Sequence, residues 1–266
     1  MPPDSSHSPP LRQWLHQQWQ RWRGQSPGSA PAAALDDATR QRLAALPPPA
    51  TAATAHSLLE QPLVVFDLET SGLNIHKDVV LAAGAVRIEQ QSIVMGKPLE
   101  CILRVEVLLH AESQLIHGLT QADLARGQEP HLALLELLEF GPDAIWLAYH
   151  AAFDHAMLQR AAAHWLGLDG GRIPRPLDLA YLAPMLFPQH AKPQAGLDHW
   201  LQCFALDMPA RHHAAADAFA TAQIALIVLA QARQQGLHTW AQLADALAAW
   251  QRERAQKEQR DQQQVF

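Results

Sequence analysis

Two cysteines in 266 residues are too few for a disulfide framework. Cys101 and Cys203 stand far apart with no ligand spacing, so they read as ordinary thiols of a reducing compartment. Basic charge is scarce as well: 20 Lys and Arg against 26 Asp and Glu leave a formal net charge of −6. This excludes a broad basic coat that would neutralise many phosphates. It leaves room for cations held locally by carboxylates to do that work. Aromatic residues make up only 6% of the chain, which limits stacking surfaces. The longest apolar run near the end, Ile224 to Ala230, falls far short of the roughly 20 residues that cross a bilayer. The opening MPPDSSHSPP lacks the basic and apolar regions of a signal peptide. A cytoplasmic protein with no membrane contact is expected. What is abundant is apolar residue, at 48%, enough for a sizeable core.

The chain divides by composition. Residues 1–60 form a Pro/Ala-rich extension, with Leu11, Trp14, Leu15, Trp19 and Trp22 at helical spacing and a second helix over Leu35 to Leu46 that Pro47, Pro48 and Pro49 end. The Trp-bearing stripe suits packing on the chain's own globular domain; flanking Arg12, Arg21 and Arg23 also fit a partner or membrane surface. Residues 61–235 form the main domain, and residues 236–266 a helix through Trp240 and Trp250 with a Gln-rich tail. In the main domain strands are predicted at LVVFDLE (Leu63 to Glu69), Val79 to Ile88, around Ile93, and Cys101 to Val107. A helix through Leu132, Leu135 and Leu138 follows, then a strand from Ala144 to His150, a helix from Phe153 to Leu166 and a short strand at Pro176 to Asp178. Antiparallel strands first, then strand and helix in alternation, predict an α/β fold with a mixed sheet flanked by helices.

Acidic residues mark the chemistry. Asp67 and Glu69, two apart on a strand, point to one face and can present two carboxylates from one rigid element. Asp154 follows an apolar strand and opens a helix, where capping or first-turn dipole pairing would equally explain it. Asp217 sits among alanines, whose small side chains let another element come close. Phosphodiester hydrolysis by two metals needs several acidic ligands around ions roughly 3.5–4 Å apart, and a base for the attacking water.

These segments, in this order, resemble the DEDD exonuclease superfamily with its ribonuclease H-like fold, and specifically the histidine-bearing DEDDh branch that includes the proofreading epsilon subunit of bacterial DNA polymerase III. FDLETSGL (Phe66 to Leu73), LIHGLT (Leu115 to Thr120), YHAAFD (Tyr149 to Asp154) and HHAAADAFAT (His212 to Thr221) carry the likeness, with Asp178 and GLDHWL (Gly196 to Leu201) as further landmarks. The resemblance implies a 3′→5′ exonuclease domain that releases nucleoside 5′-monophosphates from DNA, or from RNA, using two ions of Mg²⁺ or Mn²⁺. It implies Asp67, Glu69, Asp154 and Asp217 as metal ligands, and His212 as general base. Thr70, Gly72 and Leu73 would meet the terminal nucleotide, and His150 would either replace a polar substrate contact of the relatives or be a satisfied core histidine. Helical spacing taken alone would pair His213 with Asp217, whereas His212 could act only from a loop ahead of the helix.

Departures from the pattern are Tyr149-His150 where His-Asn is common, and Ala82-Ala83 where Glu-Ile is frequent. Arg172, Arg175, Lys192 and Arg211 are the basic residues that could reach phosphates of a single-stranded or frayed 3′ end. Two rival readings are a non-catalytic, exonuclease-like docking module for a polymerase or sliding clamp, and a metalloenzyme acting on mononucleotides. The tail Gln262 to Phe266 resembles the short Gln-plus-hydrophobic peptides by which bacterial proteins bind the sliding clamp.

Overall fold

The computed structural model describes residues 35–52, 54–109, 114, 115, 117–193, 195–207 and 213–263. The expected Trp-bearing helix, His212, Arg211 and the final Gln264 to Phe266 lie outside the described residues.

Strand β1 (Leu63–Thr70) is the axis of the sheet. Its start reads as an unbroken apolar run because both faces are covered. Val64, Phe66 and Leu68 enter one core, while Leu63 and Val65 enter another on the opposite face. β1 pairs antiparallel with β2 (Val80–Glu89) and parallel with β5 (Ile145–Ala148), which continues in parallel to β6 (Leu177–Asp178). Two short strands share the outer edge of β2: β4 (Leu99–Ile102) beside Ala82 to Ala85, and β3 (Ser92–Ile93) beside Ile88 and Glu89. The result is a six-stranded mixed sheet. The strand expected to run to Val107 stops at Ile102 because its backbone changes partner. Leu103 still donates to the Leu81 carbonyl at 2.8 Å, but Arg104 donates to Gln128 at 2.7 Å.

Helices close both faces. After α1 (Asp37–Ala45) and α2 (Gln121–Arg126), helices α3 (Pro130–Glu139) and α4 (Ala151–Leu166) cover one face. There Leu134, Leu135, Met157 and Leu158 share a core with Phe66 and Trp146. The other face carries α5 (Leu179–Leu186), α6 (Leu197–Cys203), α7 (Ala214–Gln234) and α8 (Trp240–Gln263). By length and composition alone α7 is apolar enough to cross a bilayer, but 56% of its most apolar window is buried. Its apolarity serves contact with β1, β2 and α5.

Both sequence-level flanks touch this body. Asp36 caps α1, accepting the Thr39 N–H at 2.8 Å, and Leu35 and Leu43 join the core beside α3. Arg42 makes a two-pronged ion pair with Glu139. Arg172 donates to the carbonyls of Leu43 and Leu46 at 3.3 and 2.9 Å. It therefore ties α1 down through its Nη2. At the other flank, Leu58 donates to the His238 carbonyl at 3.0 Å, and Trp240, Leu243 and Leu247 of α8 are buried.

Candidate active site

The odd-numbered residues of β1 explain the site. Leu63 and Val65 face α7, and Asp67 and Glu69 continue the same alternation past the end of the apolar stretch. Across the antiparallel pair, Asp67 opposes Gly84 and Glu69 opposes Ala82. A Cβ on Gly84 would lie 2.1 Å from the backbone of Ala214 and Ala215, so the first turn of α7 rests directly on β2. That approach delivers Asp217 to the carboxylates of β1. Asp67, Glu69 and Asp217 place ligand oxygens within 4.8 Å of one another. Three hard oxygen donors at this spacing fit a divalent cation such as Mg²⁺ or Mn²⁺.

Asp154 reaches the same region from the other face, in the first turn of α4, and is not one of the three clustered ligands. It is 5% exposed. Burial foremost, with the charges of Asp178 and Glu69, pushes its carboxyl up to about 7 against the opposing N–H groups of its own backbone and of Leu68. A buried acid held near neutrality beside other acids is the electrostatic signature of a place that lacks positive charge. A cation there would restore the ionised form.

The loop after β1 is organised by Asp78. Ser71 donates its hydroxyl to Asp78 at 2.9 Å and Asn74 its N–H at 2.7 Å. A Cβ on Gly72 would lie 2.7 Å from the Asp78 carboxylate, which leaves no room for a side chain. The Thr70 hydroxyl donates to the Gly72 carbonyl at 2.9 Å, and Leu73 projects 86% exposed. Leu115, equally exposed at 86%, belongs to the LIHGLT segment. In that segment His117 is buried, which lowers its proton affinity, and its Nδ1 accepts the Leu119 N–H at 3.0 Å.

Tyr149 and His150 take opposite roles. Tyr149 is buried, and its hydroxyl donates to the Ala195 carbonyl at 2.6 Å, tying β5 to the segment before α6. His150 is exposed and left-handed, with φ 61° and ψ 40°, at the start of α4. Sequence reasoning passed over two residues that shape the site. Gly84 could have been noticed as a glycine inside a strand, which often marks a close backbone approach. Asp178 was a landmark without a role; the structure sets its half-buried carboxylate against the N–H groups of His150 and Ala180. The helix α7 begins at Ala214, with exposed His213 as its N-cap. His213 thus stands at the helix start with extended backbone, and its carbonyl accepts the Asp217 N–H at 2.9 Å.

Residues 64–225 match the family model RNase_T, described as Exonuclease. The chain belongs to this exonuclease family. Its likeness extends to a DNA polymerase III subunit epsilon-like protein of Rhodobacter capsulatus, 30% identical over 193 residues, covering 69% of this chain and 27% of the relative. A PolC-type DNA polymerase III of Bacillus subtilis is 27% identical over 184 residues, covering 69% of this chain and 12% of that protein. The chain thus spans about a quarter or less of the length of these curated relatives. In fold it is similar to E. coli Exonuclease I in complex with a dT13 oligonucleotide, with TM-score 0.57 and 18% identity over 66% of this chain and 42% of that one. The chain therefore combines membership of the exonuclease family with a mixed α/β fold similar to that of Exonuclease I.

Proposed function

We propose that this exonuclease removes nucleotides singly from the 3′ end of DNA, releasing nucleoside 5′-monophosphates with the help of two divalent cations. The observation that carries this reading is the convergence of Asp67, Glu69 and Asp217 within 4.8 Å, drawn from a strand and a helix far apart in sequence. Asp67, Glu69 and Asp217 would hold one cation, and Asp67 with Asp154 the other. Such ions supply Lewis-acid stabilisation of charge on phosphate oxygens and lower the pKa of water. The residues do the rest. His212 accepts a proton from the attacking water as its oxygen bonds to phosphorus, and the bond to the 3′-oxygen of the next nucleotide breaks. Thr70, Gly72 and exposed Leu73 meet the terminal nucleotide, Leu73 offering an apolar surface to its base. Exposed His150 offers a polar edge on the α4 side. DNA is favoured over RNA because the polymerase III relatives are DNA enzymes by name and Exonuclease I was solved with a dT13 oligonucleotide. As an addition, the tail ending in Val265 and Phe266 would contact a sliding clamp; a pull-down that does not weaken on deleting those two residues refutes this contact.

The test uses 5′-labelled DNA and RNA oligonucleotides with the pure protein and Mg²⁺ or Mn²⁺. A ladder shortening by one nucleotide from the 3′ side, on DNA and absent with EDTA, is expected. Hydrolysis of mononucleotides with the oligonucleotides left intact, or cleavage that persists without any cation, overturns the reading.

A further inference from the structure

We propose that Asp178 is the positioning residue of the site: it caps α4 across the sheet edge and so fixes where Asp154 points. Helix α4 begins without a cap of its own. Its N-cap residue, His150, makes no side-chain bond to the first turn and sits in the left-handed region at φ 61°. For a residue with a Cβ that conformation is strained, so a neighbouring group must hold it. That group is Asp178. Its Oδ1 accepts the His150 N–H at 3.1 Å and the Ala180 N–H at 2.9 Å, and its carboxylate also draws on the Ala151 N–H.

One carboxylate therefore serves the starts of two helices. Asp178 ends β6, paired in parallel with Ala148 at the end of β5, so it stands beside the turn that launches α4. At α5 it acts as an ordinary N-cap for its own helix. At α4 it supplies the acceptor that His150 lacks. Four residues on, Asp154 receives the Leu68 N–H and lies beside Glu69. Helical rigidity connects the two points: a change of direction at His150 within this first turn moves Asp154 off β1. Residues that orient a metal ligand typically change metal affinity by about 10- to 100-fold when removed.

This proposal rests on Asp154 being a cation ligand, and the experiment separates the two ideas. Mn²⁺ binding is titrated by electron paramagnetic resonance. Amide hydrogen exchange over residues 148–156 is measured in the metal-free protein. Four variants are compared with the parent: Asp178→Asn, Asp178→Ala, Asp178→Ala with His150→Gly, and Asp154→Asn. Asp178→Asn keeps an oxygen acceptor and is expected to match the parent in both readouts. Asp178→Ala is expected to speed exchange at His150 and Ala151 and to weaken one of the two Mn²⁺ ions by about 10- to 100-fold. Glycine at 150 removes the left-handed penalty, so the double variant regains roughly tenfold of that affinity. A purely structural loss at α5 would not respond to residue 150.

Asp178→Asn behaving as badly as Asp178→Ala overturns the proposal, and because it needs only the parent fold it decides the matter even where Asp178→Ala does not fold. Parent-like exchange in Asp178→Ala, or no recovery in the double variant, also overturns it. If Asp154→Asn leaves both Mn²⁺ affinities unchanged, the cation role of Asp154 falls, and the proposal falls with it in its claim on the metal; accelerated exchange in Asp178→Ala would still establish the cap.

Discussion

In water the Asp154 carboxyl would release its proton near pH 4; buried between α4 and β1 it is pushed up to about 7. Between those values the native chain holds a proton that the unfolded chain has lost, so stability falls as pH rises, and the loss is complete above about 7. Replacing Asp154 by Asn removes this titration. In EDTA, the variant should gain stability over the parent as pH rises from 5 to 8, by an amount on the order of a few kcal/mol. Urea unfolding at each pH measures it, and a difference that stays flat refutes the buried acid. Mg²⁺ should reverse the order, raising the melting temperature of the parent more than that of the variant. Asp67 has a different weight, because it supplies one of the clustered oxygens from the strand that holds Glu69 as well. Asp67→Ala should reduce release of labelled nucleotide by at least about 10³-fold, the scale on which a preorganised charge-stabilising group is lost. Retention of parent activity would remove the site assignment altogether.

Among the elements, the contact of α7 with β2 governs the geometry. Gly84 faces Asp67 across the pair, and the backbone of Ala214 fills the space a side chain would need. Gly84→Ala must push the start of α7 outward and carry Asp217 with it. Overpacking of this kind costs roughly 1–3 kcal/mol, so thermal unfolding should drop by roughly 3–10 °C while activity falls further than stability. Equal activity in a variant with lowered melting temperature would show that Asp217 tolerates the shift. The same elements show what was legible in advance. The apolar run from Leu63, the alternation that puts Asp67 and Glu69 on one face, and the strand before Asp154 could all be read from periodicity. The end of β4 at Ile102 could not, because Val105 and Val107 have strand-like side chains and only the switch of the Arg104 N–H to Gln128 stops the pairing. The roles of Asp178 and Tyr149 were hidden for a related reason. Each bonds to a backbone group of another element, Asp178 to His150 and Tyr149 to Ala195, and residue types alone do not name such partners.

At the scale of the whole molecule, the flanking segments add to the stability of the central domain. Leu35 and Leu43 share a core with Leu134 and Phe66, and Arg172 holds the last carbonyls of α1. Arg172→Ala should cost about 1–3 kcal/mol, as for hydrogen bonds donated by a charged group, and should expose the Pro47 to Pro49 segment to limited proteolysis. Cleavage no faster than in the parent would show that the leucine contacts alone retain α1.

The last helix then gives the molecule a fixed reach. Among the described side chains of α8, Leu247 is the last buried one, and from Arg252 each described side chain through Arg260 is exposed while the backbone stays helical to Gln263. At 1.5 Å per residue, the stretch from Gln251 to Gln263 projects about 20 Å from the globule. A rod is a poor spring. Anything that grips its tip is therefore carried at a set distance and angle from the globule, so lengthening the rod by one residue would swing that cargo by about 100° around the axis while one whole turn would merely move it outward.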